Sequence, residues 1–186
     1  MSGQGREHRS EERARSGAPH GSEPGHVSVR RVRPDDVPTV VRLVRELARY
    51  EKAEHEALMT EAQLRDALFG EAPALFGHVA LAEDGETAGF ALWFLNFSTW
   101  RGTHGLYLED LYVSPGHRGT GLGRALLRTL AQECVDRGFA RLEWSVLDWN
   151  TPSIEFYEAQ GAVPMDGWTV YRLTDDALAS FAAAPR

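Results

Sequence analysis

Cysteine is almost missing from this chain. Cys134 alone among 186 residues excludes an intramolecular disulfide and a cysteine-based metal cluster. Long apolar runs are missing as well. No segment approaches the roughly 20 apolar residues that span a bilayer, and residues 1–26 lack the apolar core of a secretory signal. The chain therefore reads as cytoplasmic, with no membrane partner. An excess of positive charge is also absent: 27 acidic against 20 basic residues give a net charge of −7, which argues against a nucleic-acid partner. His8, His20 and His26 show no metal-ligand spacing, so no metal is expected. There is no internal repeat and no sign of a second domain.

What is present is one domain's worth of patterned sequence. Residues 1–26 are rich in Gly, Ser, Arg, Glu and His and read as a disordered tail. Four Arg and four Glu cancel there, so the negative charge belongs to residues 27–186. An acidic domain steers cationic small molecules toward itself. Val27 to Arg33 alternates as a first strand, ended by Pro34. Asp35 or Asp36 can then cap a helix whose apolar face is Val37, Val40, Val41, Val44, Leu47 and Ala48. A second helix starts at Thr60, with Gln63 in the capping-box position, and ends near Gly70. Strands follow over His78–Glu83 and Ala88–Phe97, joined by an Asp84-Gly85 hairpin turn. Further along, a strand over Arg141–Val146 precedes a helix opened by Pro152 and stopped at Gly161. Two short strands, near Val163 and over Thr169–Leu173, and a helix after Asp175 complete the pattern. The alternation predicts a mixed α/β sheet with a central antiparallel meander.

The most informative stretch runs from Leu106 to Arg128. Strict alternation would put Leu106, Leu108, Asp110 and Tyr112 on one side of a strand and Tyr107, Glu109, Leu111 and Val113 on the other. Ser114-Pro115-Gly116 ends that strand. Then come Arg118-Gly119-Thr120-Gly121-Leu122-Gly123 and a helix with Leu122, Leu126, Leu130 and Cys134 on one face. On that stripe Cys134 reads as a small core residue. Three glycines in five residues let backbone approach a ligand closely. The first amides of the helix lack internal acceptors and are mildly positive, which suits a phosphate. Arg118 and Arg124 flank the turn with fixed charge. A Walker loop would need Gly-Lys-Ser/Thr, and here Gly123-Arg124-Ala125 stands. A dinucleotide Gly-x-Gly-x-x-Gly started at Gly119 would end on Arg124, so that fails too.

The remaining pattern, Arg-x-x-Gly-x-Gly, resembles the pyrophosphate-binding motif of the GNAT superfamily of acetyl-CoA-dependent N-acetyltransferases. The order of elements resembles the GNAT fold, an α/β fold with a mixed, mostly antiparallel central sheet flanked by helices. In that fold the central strand splays from its neighbour, leaving a gap for the pantetheine arm. Glu46–Glu51, Leu106–Asp110, Arg118–Gly123 and Trp149-Asn150-x-Pro152-Ser153-Ile154-x-Phe156-Tyr157 together resemble the diamine (spermidine/spermine and thialysine) N-acetyltransferases. The resemblance spans about 150 residues from Val27 onward. It implies acetyl-CoA as co-substrate, a small cationic amine as acceptor (diamine, polyamine or lysine-like amino acid), direct attack in a ternary complex, and a homodimer.

Acetyl transfer to an amine needs a neutral nucleophile, a donor to the oxyanion and an acid for the leaving thiolate. An alkylamine with a pKa near 10.4 is mostly protonated at neutral pH. Glu109 is the candidate base, or else a carboxylate that only holds the ammonium. Asp110 either anchors a structural network or contributes to acceptor binding. Tyr157 is the candidate general acid; the competing reading is a core aromatic. The N–H of Leu111 is the candidate oxyanion donor, with Leu111, Tyr112 and Val113 pairing with pantetheine as an added strand. Arg118, Gly119, Thr120, Gly121, Leu122, Gly123 and Arg124 would hold the pyrophosphate. Asn150 would bond the pantetheine arm, although Asn before Thr-Pro is also a good helix cap. Tyr50, Glu51, Glu54 and Trp168 match positions lining the family's acceptor pocket, Glu109 and Asp110 are further acceptor-binding candidates, and Trp100 is a candidate for its border; for Glu51 and Glu54 the competing reading is a solvated helix end. Two features depart from the family pattern. Asp148 replaces a Glu, and Lys52-Ala53 replaces apolar residues, where a positive Lys52 penalises a long polyamine. Rival readings are a CoA-binding sensor without catalysis and an acetyltransferase acting on a protein or antibiotic amine.

Overall fold

A computed structural model describes residues 27–183 of the chain. The tail expected over residues 1–26 lies outside the described residues. By contact the chain divides into two compact units that meet at the Trp144–Ser145 boundary.

The first unit contains a five-stranded sheet in the order β1-β2-β3-β4-β5. Its strands are β1 (Ser28–Arg31), β2 (Phe76–Leu81), β3 (Thr87–Ser98), β4 (Thr103–Val113) and β5 (Leu142–Glu143). Neighbours are antiparallel except β4 and β5, which run parallel. The hairpin between β2 and β3 turns at Gly85 (φ 85°), as Asp84-Gly85 predicts. The helices are α1 (Val37–Tyr50), α2 (Glu61–Phe69) and α3 (Leu122–Asp136).

The two faces of the sheet are covered by different helices. Val37, Val40, Val41 and Leu43 of α1 and Leu64 and Leu68 of α2 form one core with Val32, Val79, Phe90, Leu92 and Tyr112. On α3 the expected stripe is buried: Leu122, Leu126, Leu130 and Cys134 are all under a tenth exposed. Each such leucine contributes about 1.5–3 kcal/mol by leaving water. Thr60 caps α2 as expected, its hydroxyl accepting from the Gln63 N–H at 3.3 Å and the Gln63 amide returning to the Thr60 N–H at 2.9 Å. Asp36 occupies the N-cap of α1 but makes no capping bond. Its carboxylate instead accepts two bonds from Arg30, at 2.6 and 2.8 Å, and one from the Arg33 N–H at 2.7 Å. A bidentate guanidinium outcompetes a lone helix amide.

A polar cluster lies around His78, which is 3% exposed. The Trp93 indole N–H donates to His78 Nδ1 at 3.2 Å. Glu133 faces His78 Nε2 at 3.7 Å and is paired with Arg31 and Arg137. Burial, and then the two arginines, push the His78 imidazole down to about 4 despite the opposing Glu133 charge.

The second unit carries α4 (Thr151–Glu158) and α5 (Asp175–Ala183). Gly161 (φ 88°) follows α4, with the Ala162 N–H donating to the Tyr157 carbonyl at 3.2 Å. Two expectations are corrected here. The strand predicted over Arg141–Val146 shortens to Leu142–Glu143, and no strand is found near Val163 or over Thr169–Leu173. Alternation supplies the side-chain pattern of a strand, but the strand exists only where a neighbour accepts its backbone hydrogen bonds.

Candidate active site

The geometry of the site begins with an irregularity in β4. Leu92 pairs with Asp110 and Trp93 pairs with Leu108, so Glu109 is the extra residue of a β-bulge. Directly paired residues share a face. Asp110 and Tyr112 therefore lie on the face of Leu92 and Phe90, toward α1, whereas Leu106, Leu108, Leu111 and Val113 lie on the other. This corrects the strict alternation, which groups Asp110 and Tyr112 with Leu106 and Leu108. The signal was present in sequence: apolar Leu108 and Leu111 are three apart, a spacing that an unbroken strand cannot place on one face.

The bulge leaves Glu109 exposed and turns Asp110 into a partly buried position. Burial first, and then the charges of Glu109 and Glu51, push the Asp110 carboxyl up to about 6. Glu51, the C-cap of α1, is itself pushed up by burial. The structure thus brings Glu51, Glu109 and Asp110 within electrostatic reach of one another. Three carboxylates so placed favour a cationic occupant, and the raised Asp110 is a better proton acceptor than an ordinary carboxylate. Glu54 is exposed and pairs with Arg49 at 2.8 Å instead.

Beyond the bulge, β4 is unpaired on its β5 side. The ladder between them covers only Leu106–Leu142 and Tyr107–Glu143. Leu111, Tyr112 and Val113 pair with Ala91, Phe90 and Gly89 on the β3 side. The far edge of this segment carries no strand among the described residues. Tyr112 and Val113 are buried there, while Leu111 is partly exposed.

Past β4 the chain makes a short 3-10 turn over Pro115–His117 and enters the glycine turn. Gly119 and Gly121 have φ of 79° and 90°, the left-handed region that a side chain disfavours. Nothing lies within 4 Å of where a Cβ on Gly119 would stand. Gly121 is the N-cap of α3 and offers no side-chain cap; the Ala125 N–H donates to the Gly121 carbonyl at 2.9 Å and opens the helical ladder. The amides of Leu122, Gly123 and Arg124 therefore need acceptors from outside the helix. Open space before the turn and first-turn amides fit a pyrophosphate. Thr120 donates its hydroxyl to the His117 carbonyl at 2.6 Å, which braces the turn.

Arg118 does more than flank this turn. Its Nε donates to the Val113 carbonyl at 3.0 Å. Its guanidinium carbon lies 4.9 Å from the Tyr50 ring centre and 5.5 Å from that of Tyr112. The Tyr112 hydroxyl reaches Glu46 at 3.5 Å, and Glu46 pairs with Arg42 at 2.5 Å. Burial and Glu46 push the Tyr112 phenol up, with Arg118 pulling the other way. Sequence reasoning missed this arrangement, because stacking between residues 68 positions apart leaves no local pattern.

In the second unit, Asn150 is the N-cap of α4 but makes no side-chain capping bond. Its carbonyl accepts from the Ser153 and Ile154 N–H groups, both at 3.0 Å. The capping alternative for its side chain is therefore not realised. Tyr157 lies near the end of α4 and is partly buried, its ring 5.2 Å from that of Phe156. Trp168 closes a turn, its N–H donating to the Met165 carbonyl at 3.1 Å. Trp100, between β3 and β4, is 88% exposed.

Among the described residues there is no group of His, Cys, Asp and Glu that could hold a metal ion, and no helix long and apolar enough to cross a membrane. Residues 40–162 match the acetyltransferase (GNAT) family. A thialysine N-epsilon-acetyltransferase from Bos taurus is 36% identical, over 84% of this chain and 97% of its own. An L-ornithine N5-acetyltransferase from Arabidopsis thaliana is 30% identical, over 86% of this chain and 91% of its own. Among solved structures, an integron cassette protein from V. cholerae superposes with a TM-score of 0.71 at 26% identity, covering 85% of this chain and 98% of its own. The fold, the glycine turn and the extent of these matches establish that the chain belongs to the GNAT family of acetyltransferases.

Proposed function

We propose that this enzyme transfers the acetyl group of acetyl-CoA to a primary amine of a small cationic acceptor, namely a diamine, a polyamine or a lysine-like amino acid. The observation that carries the reading is the juxtaposition in the first unit of an anion-accepting glycine turn, an unpaired β4 edge and the carboxylates Glu51, Glu109 and Asp110. The names of the relatives that act on thialysine and ornithine support the acceptor class.

When bound, acetyl-CoA supplies a thioester carbonyl as the electrophile. In this proposal the backbone from Arg118 to Arg124 holds the phosphates, and the edge of Leu111, Tyr112 and Val113 holds the pantetheine arm; for Asn150 the family resemblance implies a bond to pantetheine. The Leu111 N–H is the donor to the carbonyl oxygen. Glu51 and Asp110 attract and orient the ammonium end of the acceptor, with Tyr50 lining it; for Trp168 the family resemblance implies an acceptor-facing role. Glu109 takes the proton from the attacking amine, directly or through water. Tyr157, protonated at neutral pH as a phenol, donates to the departing thiolate. The proposal includes a homodimer and a cytoplasmic location.

A CoA-release assay with acetyl-CoA against thialysine, L-lysine, L-ornithine, putrescine, spermidine and an aminoglycoside tests it. Turnover of one or more of the cationic small amines is expected. Acetyl-CoA binding without turnover of any of them would overturn the acceptor assignment. Tyr157→Phe should lower kcat by about 10²–10⁴-fold with acetyl-CoA affinity retained; an unchanged kcat would return Tyr157 to a packing role.

A further inference from the structure

We propose that Arg118 is a positioning residue that builds the acceptor end of the active site from the cofactor turn. The inference rests on the proposed function above. Arg118 opens the glycine turn, yet its side chain points its contacts elsewhere. One guanidinium joins three elements. It lies over Tyr50 at the end of α1, over Tyr112 near the end of β4, and bonds the Val113 carbonyl where β4 ends.

Both aromatic contacts are next to the acidic cluster. Tyr50 immediately precedes Glu51 in the chain. Tyr112 is two residues beyond Asp110 on the same face of the sheet. A side chain that fixes both rings therefore fixes the spacing between Glu51, carried by α1, and Asp110, carried by β4. Glu46 reinforces the joint from within α1 through its bond to the Tyr112 hydroxyl. The carboxylates repel one another, which adds to the burial that raises Asp110, so the site needs a brace to stay assembled. Arg118 supplies it through the Val113 carbonyl and the Tyr50 and Tyr112 rings.

The test uses the full chain with thialysine and spermidine as acceptors and acetyl-CoA as donor. A cation–π contact replaced by a small side chain predicts a rise of roughly three- to thirtyfold in acceptor KM for Arg118→Ala. Acceptor KM should rise by a larger factor than kcat falls or than the CoA dissociation constant, measured by calorimetry, rises. Arg118→Lys keeps the charge, loses the planar stack and is the variant of record if Arg118→Ala does not fold; it should show the same KM rise. In a Tyr50→Leu background, Arg118→Lys should add almost nothing to acceptor KM, because the two residues act as one unit. Weakened CoA binding with an unchanged acceptor KM would make Arg118 a phosphate ligand only and overturn the inference. Full additivity with Tyr50→Leu would overturn it as well. Wild-type enzyme that turns over neither amine would instead overturn the functional reading on which the inference stands.

Discussion

Asp110 is held in a position that costs stability, and replacing it should expose the trade. A carboxyl that titrates at about 6 instead of 3.8 is harder to ionise in the folded chain than in the unfolded one. Between those two values the folded state keeps its proton while the unfolded state has lost it. Stability from this group therefore falls as pH rises through that window and stays lowered above it. At about 1.4 kcal/mol per pH unit, the ionised Asp110 costs the fold about 3 kcal/mol at pH 7.5, about half of that at pH 5 and little below pH 4. Asn is nearly isosteric and uncharged. Asp110→Asn should therefore raise stability by up to about 3 kcal/mol at pH 7.5, equivalent to roughly 6–12 °C in Tm for a chain of this size. The gain should shrink by about half at pH 5. Acceptor KM should rise in the same variant, because one charge facing the ammonium is gone. Thermal melts and urea titrations at the two pH values, with steady-state kinetics, provide the measurements. A Tm at pH 7.5 equal to or below that of the wild type, or a gain independent of pH, would refute the reasoning.

Three further outcomes are expected. His78 titrates at about 4 in the fold and near 6.5 when unfolded, so the unfolded state takes the proton first and acidification from pH 6.5 to 4 should cost up to about 3 kcal/mol; His78→Gln should flatten the dependence of the urea midpoint on pH over that window, and an unchanged slope would exclude His78 as its source. Gly121→Val places a β-branched residue at φ 90° at a cost of about 1–3 kcal/mol, so circular dichroism should show a folded chain while calorimetry shows lost acetyl-CoA binding; normal binding would make the turn a mere connector. In the native fold burial raises the Asp36 carboxyl, but the bonds from Arg30 and from the Arg33 N–H outweigh it and hold it below its ordinary value, so its contribution is present at neutral pH and lost on acidification through that lowered value; Asp36→Asn should destabilise the protein by about 1–3 kcal/mol at pH 7 in a urea titration, and an unaffected midpoint would show that the pair is worth nothing net.

Local chemistry was legible in the residues themselves. The capping box of Thr60 and Gln63, the Asp84-Gly85 hairpin, the buried stripe of α3 and the glycine turn follow from rules that act over a few residues: periodicity, φ preference and unsatisfied helix amides. These are properties of short segments, so a sequence carries them whole. The family resemblance added acetyl-CoA, the acceptor class and the roles of Glu109 and Tyr157. Other features depend on partners distant in the chain. The strands expected near Val163 and over Thr169–Leu173 did not form, since a strand requires a neighbour to pair with. The bulge at Glu109 arises from the register between β3 and β4, and it alone decides that Asp110 faces α1 and Glu51. Arg118 reads in sequence as a charge beside a phosphate turn, but packing sets it against Tyr50 and Tyr112. Sequence by itself determined which local structures and which chemical groups the chain could offer. Tertiary structure decided which groups meet, because burial and electrostatic contact are made between segments and are written in neither one alone.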